Sequence, residues 1–229
     1  MHWVLVHSPL TGPAALGGVA REAAMSGIVV STAQFPAWTA LSEPYYRSMA
    51  QALVAPLRGC GPMILIAHSG AGGLVAAIAD AAGQGEISGA VFVDAILPHP
   101  RRSWFSTVAD GMAMALRAAA SDDKLPAWDQ WFPPGTLGAL IPDHTVRKAF
   151  VRQLKPTPMR FADEVAPDVD LPPGLGCAYL RLSKTYETEA REARHRGWPT
   201  LRLDLNHLAM VTNPREVVTA IINLTRGGK

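Results

Sequence analysis

The chain has 229 residues, 48% of them apolar and 17% charged, with a formal net charge of +2. That length and apolar content support one sizeable core and exclude a disordered chain. The near balance of charge, with no basic run or aromatic-basic stripe, argues against a nucleic-acid partner.

Residues 2–7 (HWVLVH) are predicted as a first, apolar strand, and residues 12–26 as a helix ended by Gly27. Residues 28–31 (IVVS) are a second β-branched run, followed by a predicted helix over 42–57 with Ser42 as N-cap and Pro44 in the first turn. Residues 63–68 (MILIAH) and 87–94 (ISGAVFVD) are the third and fourth strands, separated by a small-residue helix over 70–82. Later come strands over 177–182 and 200–205, a helix over 186–196 and a last helix over 214–224. These strands are apolar throughout rather than alternating, as in a sheet covered by helices on both faces. Strand–helix–strand repetition predicts an α/β fold with a doubly wound, mostly parallel sheet.

One segment breaks the alternation. Residues 98–174 hold no convincing sheet strand, two helical patterns (108–121 and 142–154), many prolines and seven aromatic residues: Trp104, Phe105, Trp128, Trp131, Phe132, Phe150 and Phe161. Such a length is too great for a bare loop. The expected organisation is a core of residues 1–97 and 175–229, with 98–174 as a helical cap over the strand ends.

Cys60 and Cys177 form no spaced metal set, and both are expected as buried thiols in a reducing compartment. The first residues show no charged-then-apolar leader, and no apolar stretch approaches a membrane span, so a cytoplasmic setting is expected. No metal, cofactor or membrane contact is expected, only a small-molecule substrate. The composition does not define an oligomeric state.

Ligands of doubly wound sheets bind at the carboxyl ends of the strands, which directs attention to what terminates each one. After MILIA comes His68-Ser69-Gly70-Ala71-Gly72, then a helix. This is the strand–turn–helix context of a nucleophile elbow, with Ala67 and Ala71 at the positions that require small residues. Gly70 leaves its backbone N–H open to a substrate, near the positive end of a helix. The last strand runs into Asn206-His207-Leu208-Ala209-Met210, so His207 is placed to act as base. His68 adjoins Ser69 but points to the other face of its strand and is expected to pack beneath the elbow.

The acid has two candidate sources. Asp94 closes the apolar strand VFVD. Glu187 and Glu189 follow the next strand, where they would also serve as first-turn acids favouring the helix dipole. Asp94 is preferred, because a carboxylate ending an apolar strand has less structural excuse.

These segments together resemble the α/β-hydrolase superfamily over nearly the whole chain: HSPLTG, AHSGAG, VFVDAILP and NHLAMVTNP. The first and last resemble the small plant-type esterase and hydroxynitrile lyase branch. DAILP is similar instead to the haloalkane dehalogenase branch, whose aspartate nucleophile Ser69 argues against. The resemblance implies an oxyanion hole with two backbone donors. One matches Gly70. The other falls on Pro9, which has no N–H. Three outcomes follow: the Leu10 N–H substitutes, the Ser8 hydroxyl substitutes, or the reaction forms no strong oxyanion. The expected activity is hydrolysis of an ester, thioester or lactone of moderate size and mostly apolar character. The alternative is a lyase or cyclase using the same residues for acid–base chemistry.

Overall fold

While the edge strands over 29–32 and 200–202 stay partly exposed, the central apolar runs become strands buried on both faces. Their alternation sends Trp3 and Leu5 to one side of the sheet and Val4 and Val6 to the other, each into a separate core cluster. The structure is a computed structural model that describes residues 1–226. Its strands are β1 (His2–Val6), β2 (Val29–Thr32), β3 (Met63–His68), β4 (Ile87–Val93), β5 (Lys124–Leu125), β6 (Thr157–Pro158), β7 (Gly176–Arg181) and β8 (Thr200–Arg202). The helices are α1 (Gly17–Met25), α2 (Tyr45–Val54), α3 (Val75–Ala82), α4 (Asp110–Ala119), α5 (Thr136–Leu140), α6 (His144–Val151), α7 (Met159–Asp163), α8 (Glu187–His195), α9 (Ala209–Thr212) and α10 (Pro214–Arg226).

Six strands form one parallel sheet in the order β2-β1-β3-β4-β7-β8. The chain winds outward from β1 to β2, then returns to place β3 on the other side of β1. The switch point therefore lies between the carboxyl ends of β1 and β3, where such sheets leave a crevice. The loop 7–13 and Ser69 occupy those two ends.

Several local expectations change. The helix expected over 42–57 begins at Tyr45 and gives way to a 3₁₀ turn over Ala55–Leu57. Ser42 does not cap it. Its first amides, those of Tyr45 and Tyr46, donate to the carboxylate of Glu164, more than a hundred residues away, at 2.5 and 2.9 Å. A carboxylate at the positive end of a helix answers two unpaired N–H groups at once, which a single serine hydroxyl does not. The helix expected over 70–82 opens with a 3₁₀ segment, Ser69–Leu74, and becomes α-helical only at Val75. Cys60 is exposed, in a turn after α2, while Cys177 is buried, where desolvation pushes its thiol up to about 12.

The segment 98–174 holds α4 to α7 and also a small antiparallel pair, β5 with β6, which its prolines had hidden. Edge positions tolerate Pro158 because a two-stranded ribbon leaves one side unpaired. The segment is not packed as a separate core. Trp104, Phe105, Leu116, Trp128, Ile141 and Phe150 belong to the same buried cluster as Trp3 and Leu5 of the sheet. Among the described residues, no helix is long and apolar enough to cross a membrane.

Candidate active site

Ser69 follows the last residue of β3 and sits at φ 59°. That left-handed conformation costs a non-glycine residue about 1–3 kcal/mol and persists only where packing enforces it. The enforcement is visible in the glycines that follow. A β-carbon on Gly72 would lie 1.9 Å from the Ile96 carbonyl oxygen, and one on Gly73 would lie 2.6 Å from the His99 ring. The elbow is thus pressed against the loop leaving β4. The backbone N–H of Ile96 ties the two together by donating to the Ser69 carbonyl at 3.2 Å.

Asp94 directly follows β4, at φ 43°, and is wholly buried. Its Oδ1 accepts from the backbone N–H groups of Leu182 (2.8 Å) and Ser183 (2.9 Å). Its Oδ2 accepts from the Ser183 hydroxyl (2.6 Å) and from His207 Nδ1 (2.8 Å). Burial alone would raise the carboxyl pKa, but the bonds from His207 and Ser183 outweigh it and hold the group below the usual carboxylate value. His207 lies between β8 and α9, and its Nε2 is 3.0 Å from Ser69 Oγ. With Nδ1–H committed to Asp94, Nε2 is the acceptor for the serine proton. Asn206 steadies this turn by accepting from the Leu208 N–H (2.8 Å) and donating to the Leu140 carbonyl (3.2 Å).

Two rings sandwich the His207 imidazole. Below it lies His68, with ring centroids 4.8 Å apart. Above it lies Tyr186, at 5.0 Å and an interplanar angle of 12°. His68 Nε2 donates to the His207 carbonyl at 2.9 Å. Burial, reinforced by the neighbouring His207, takes the His68 pKa from the ordinary 6.5 down to about 3, so that ring stays neutral and does not compete for the serine proton. The Tyr186 hydroxyl is 3.4 Å from Ser69 Oγ. Since the serine proton is directed at His207, the phenol is the donor in that pair. Burial raises its pKa and keeps it protonated.

The loop after β1 closes the site from the other side. Ser8 Oγ lies 2.8 Å from where a β-carbon on Gly70 would be, and Pro9 Cδ lies 3.8 Å from it. The Leu10 N–H donates to Ser8 Oγ at 3.2 Å. The Ser8 carbonyl accepts from the Thr11 N–H (3.1 Å) and from His7 Nδ1 (2.8 Å), which tightens the turn.

A profile of the alpha/beta hydrolase family matches residues 4–220. The chain belongs to the alpha/beta hydrolase family. A search of curated protein sequences found no match. Among solved structures, an extracellular alpha/beta-hydrolase from a Paenibacillus species superposes with a TM-score of 0.75 at 17% identity, over 98% of each chain. Tomato methylketone synthase I does so with a TM-score of 0.72 at 16% identity, over 100% of this chain and 98% of that one. Polyneuridine aldehyde esterase does so with a TM-score of 0.72 at 15% identity, over 98% of each chain. At these identities the likeness concerns the fold.

In this alpha/beta hydrolase the structure joins Ser69, His207 and Asp94 in one hydrogen-bonded line. The other acids lie apart from it. Glu187 pairs with Arg181 at 3.0 Å and Arg194 at 3.1 Å. Glu189 is partly buried, its carboxyl pKa raised by desolvation. Leu10 faces the core, and its N–H is taken by Ser8. Tyr186, Ser183 and the His68 stack were not expected from sequence. The strand-end rule that singled out Ser69 and Asp94 also applies to the loop after β7, and it would have drawn attention to Ser183 and Tyr186.

Two clefts open elsewhere on the surface, and neither is lined by Ser69, Asp94 or His207. One, of about 720 Å³, lies within the segment 98–174 between Asp129 and Arg152. The other, of about 610 Å³, borders the loop after β1 and is lined in part by Pro9, Phe35 and Trp38.

Proposed function

We propose that this protein is a serine hydrolase acting on an ester, thioester or lactone, with Ser69 as nucleophile, His207 as general base and then general acid, and Asp94 as the orienting acid. The observation that carries this reading is the continuous Asp94–His207–Ser69 line, with contacts of 2.8 and 3.0 Å. Ser69 Oγ attacks the substrate carbonyl as His207 Nε2 takes its proton, and Asp94 stabilises the imidazolium. The tetrahedral oxygen is met by the Gly70 N–H. In place of the donor that Pro9 lacks, it is met by the Ser8 hydroxyl, which the Leu10 N–H fixes from behind. His207 then returns the proton to the leaving group. Water, deprotonated by the same ring, hydrolyses the acyl-enzyme.

The segment 98–174 acts in this reading as a cap. Trp128 stands 6.3 Å from the His207 ring, and Leu140 is bonded to Asn206, so the cap reaches the base itself. The exposed free thiol of Cys60 supports a reducing, cytoplasmic setting.

A second reading keeps the residues and changes the chemistry to a lyase or cyclase. It is favoured by one observation, the proline at the usual second oxyanion donor. Turnover of short p-nitrophenyl acyl esters separates the two. Ser69-dependent release of p-nitrophenol supports hydrolysis, and its absence in a folded protein favours the second reading.

A further inference from the structure

The cleft of about 610 Å³ beside the loop after β1 carries a charge pattern that ester hydrolysis alone does not require. Its lining includes Lys124, Arg152 and Lys155, and no aspartate or glutamate. Among the described residues, none of these three cations takes part in an ion pair. The chain as a whole is nearly balanced, with 21 basic and 19 acidic residues, so this excess is local. It is also assembled by the fold. Lys124 sits on β5, while Arg152 and Lys155 follow α6 and lead into β6, so the pairing of β5 with β6 brings them to one opening.

The same cleft is lined by Phe35, Trp38 and Met49, an apolar surface next to the cationic one. Pro9 is part of its wall, and Pro9 Cδ lies 3.8 Å from the β-carbon position of Gly70, the residue after the nucleophile. The Gln153 side chain keeps the cationic loop against this end by accepting from the Ala14 N–H at 2.9 Å.

From this arrangement we infer that the cleft is a substrate subsite for an amphiphile: an apolar body on Phe35, Trp38 and Met49, and an anionic end, carboxylate or phosphate, held by Lys124, Arg152 and Lys155. The inference rests on the hydrolase reading and narrows its substrate class from mostly apolar to apolar with a terminal anion. Unpaired cations beside low-dielectric walls attract and orient such an end.

The test compares two esters of similar acyl length, 4-nitrophenyl hydrogen glutarate with a terminal carboxylate and neutral 4-nitrophenyl pentanoate. The native enzyme is expected to prefer the anionic ester in kcat/KM by about tenfold, the scale of several partly exposed charge contacts acting together. That preference should shrink with added salt. It should collapse toward unity in the Lys124→Gln, Arg152→Gln, Lys155→Gln triple variant, whose fold is checked by circular dichroism. Equal turnover of the two esters by the native enzyme, or a preference that survives in the triple variant, overturns the inference while leaving the hydrolase reading intact. If neither ester is turned over, the hydrolase reading fails first, and calorimetry decides the subsite. Tighter binding of octyl phosphate or octanoate than of octanol by native protein only supports it, and the stronger of the two anions identifies the head group. Equal binding of all three overturns it.

Discussion

The phenol of Tyr186 lies parallel to the imidazole of His207, with centroids 5.0 Å apart, and directs its hydroxyl to within 3.4 Å of Ser69 Oγ. A group so placed touches the nucleophile and holds the plane of the base. Tyr186→Phe keeps the stack and removes the donor. It is expected to lower kcat/KM by about five- to tenfold, the worth of one hydrogen bond of about 1 kcal/mol, with the melting temperature nearly unchanged. Steady-state kinetics and a thermal melt check this pair of outcomes.

Ser8 is expected to carry half of the oxyanion stabilisation. Ser8→Ala should reduce kcat by about 10²-fold, the cost of one such donor. Pro9→Ala supplies a backbone N–H where the proline has none. The Ser8→Ala, Pro9→Ala double variant is therefore expected to recover part of the loss, read as kcat on the same ester.

Gly72 is required by contact rather than by backbone freedom. Because a β-carbon there would meet the Ile96 carbonyl oxygen at 1.9 Å, Gly72→Ala is expected to destabilise the fold by about 3 kcal/mol or more. Gly111 in α4 has nothing within 4 Å of the same position. Gly111→Ala is expected to stabilise by about 0.5–1 kcal/mol. Denaturant melts of the two variants should move in opposite directions.

Stability should fall on acidification from the neutral side. The His68 pKa drops from 6.5 in the unfolded chain to about 3 in the fold. Between those limits the unfolded chain binds more protons. This stability is therefore complete above the unfolded value and is lost as pH falls toward the folded one. Burial lowers His7 and His99 as well, with the same sign. Asp94, also held low, adds a loss below the ordinary carboxylate value. Thermal melts between about pH 8 and about pH 4 should show a falling melting temperature. His68→Gln should flatten that slope.

The sheet was legible because burial on both faces leaves an uninterrupted apolar run, and VFVD and MILIA are such runs. The ends of those two runs pointed to Ser69 and Asp94, and the end of the last strand pointed to His207, since strand order brings these carboxyl ends to one edge. What escaped depends on contacts distant in sequence. Glu164 caps α2 across more than a hundred residues, and no local pattern around Ser42 announces it. Tyr186 was read as the first residue of a helix, where an aromatic side chain is ordinary. The three cations of the basic cleft drew no attention in the sequence, because Lys124 lies 28 residues before Arg152, on the other side of α6, and β5 is only two residues long, leaving no periodicity to read.

The central claim is that Ser69 is a nucleophile activated by His207. Intact-mass measurement after exposure to a fluorophosphonate tests it most directly. A single covalent adduct is predicted, mapping to Ser69, absent in Ser69→Ala and formed far more slowly in His207→Ala. Failure of the native protein to label, or equal labelling of Ser69→Ala, would contradict it.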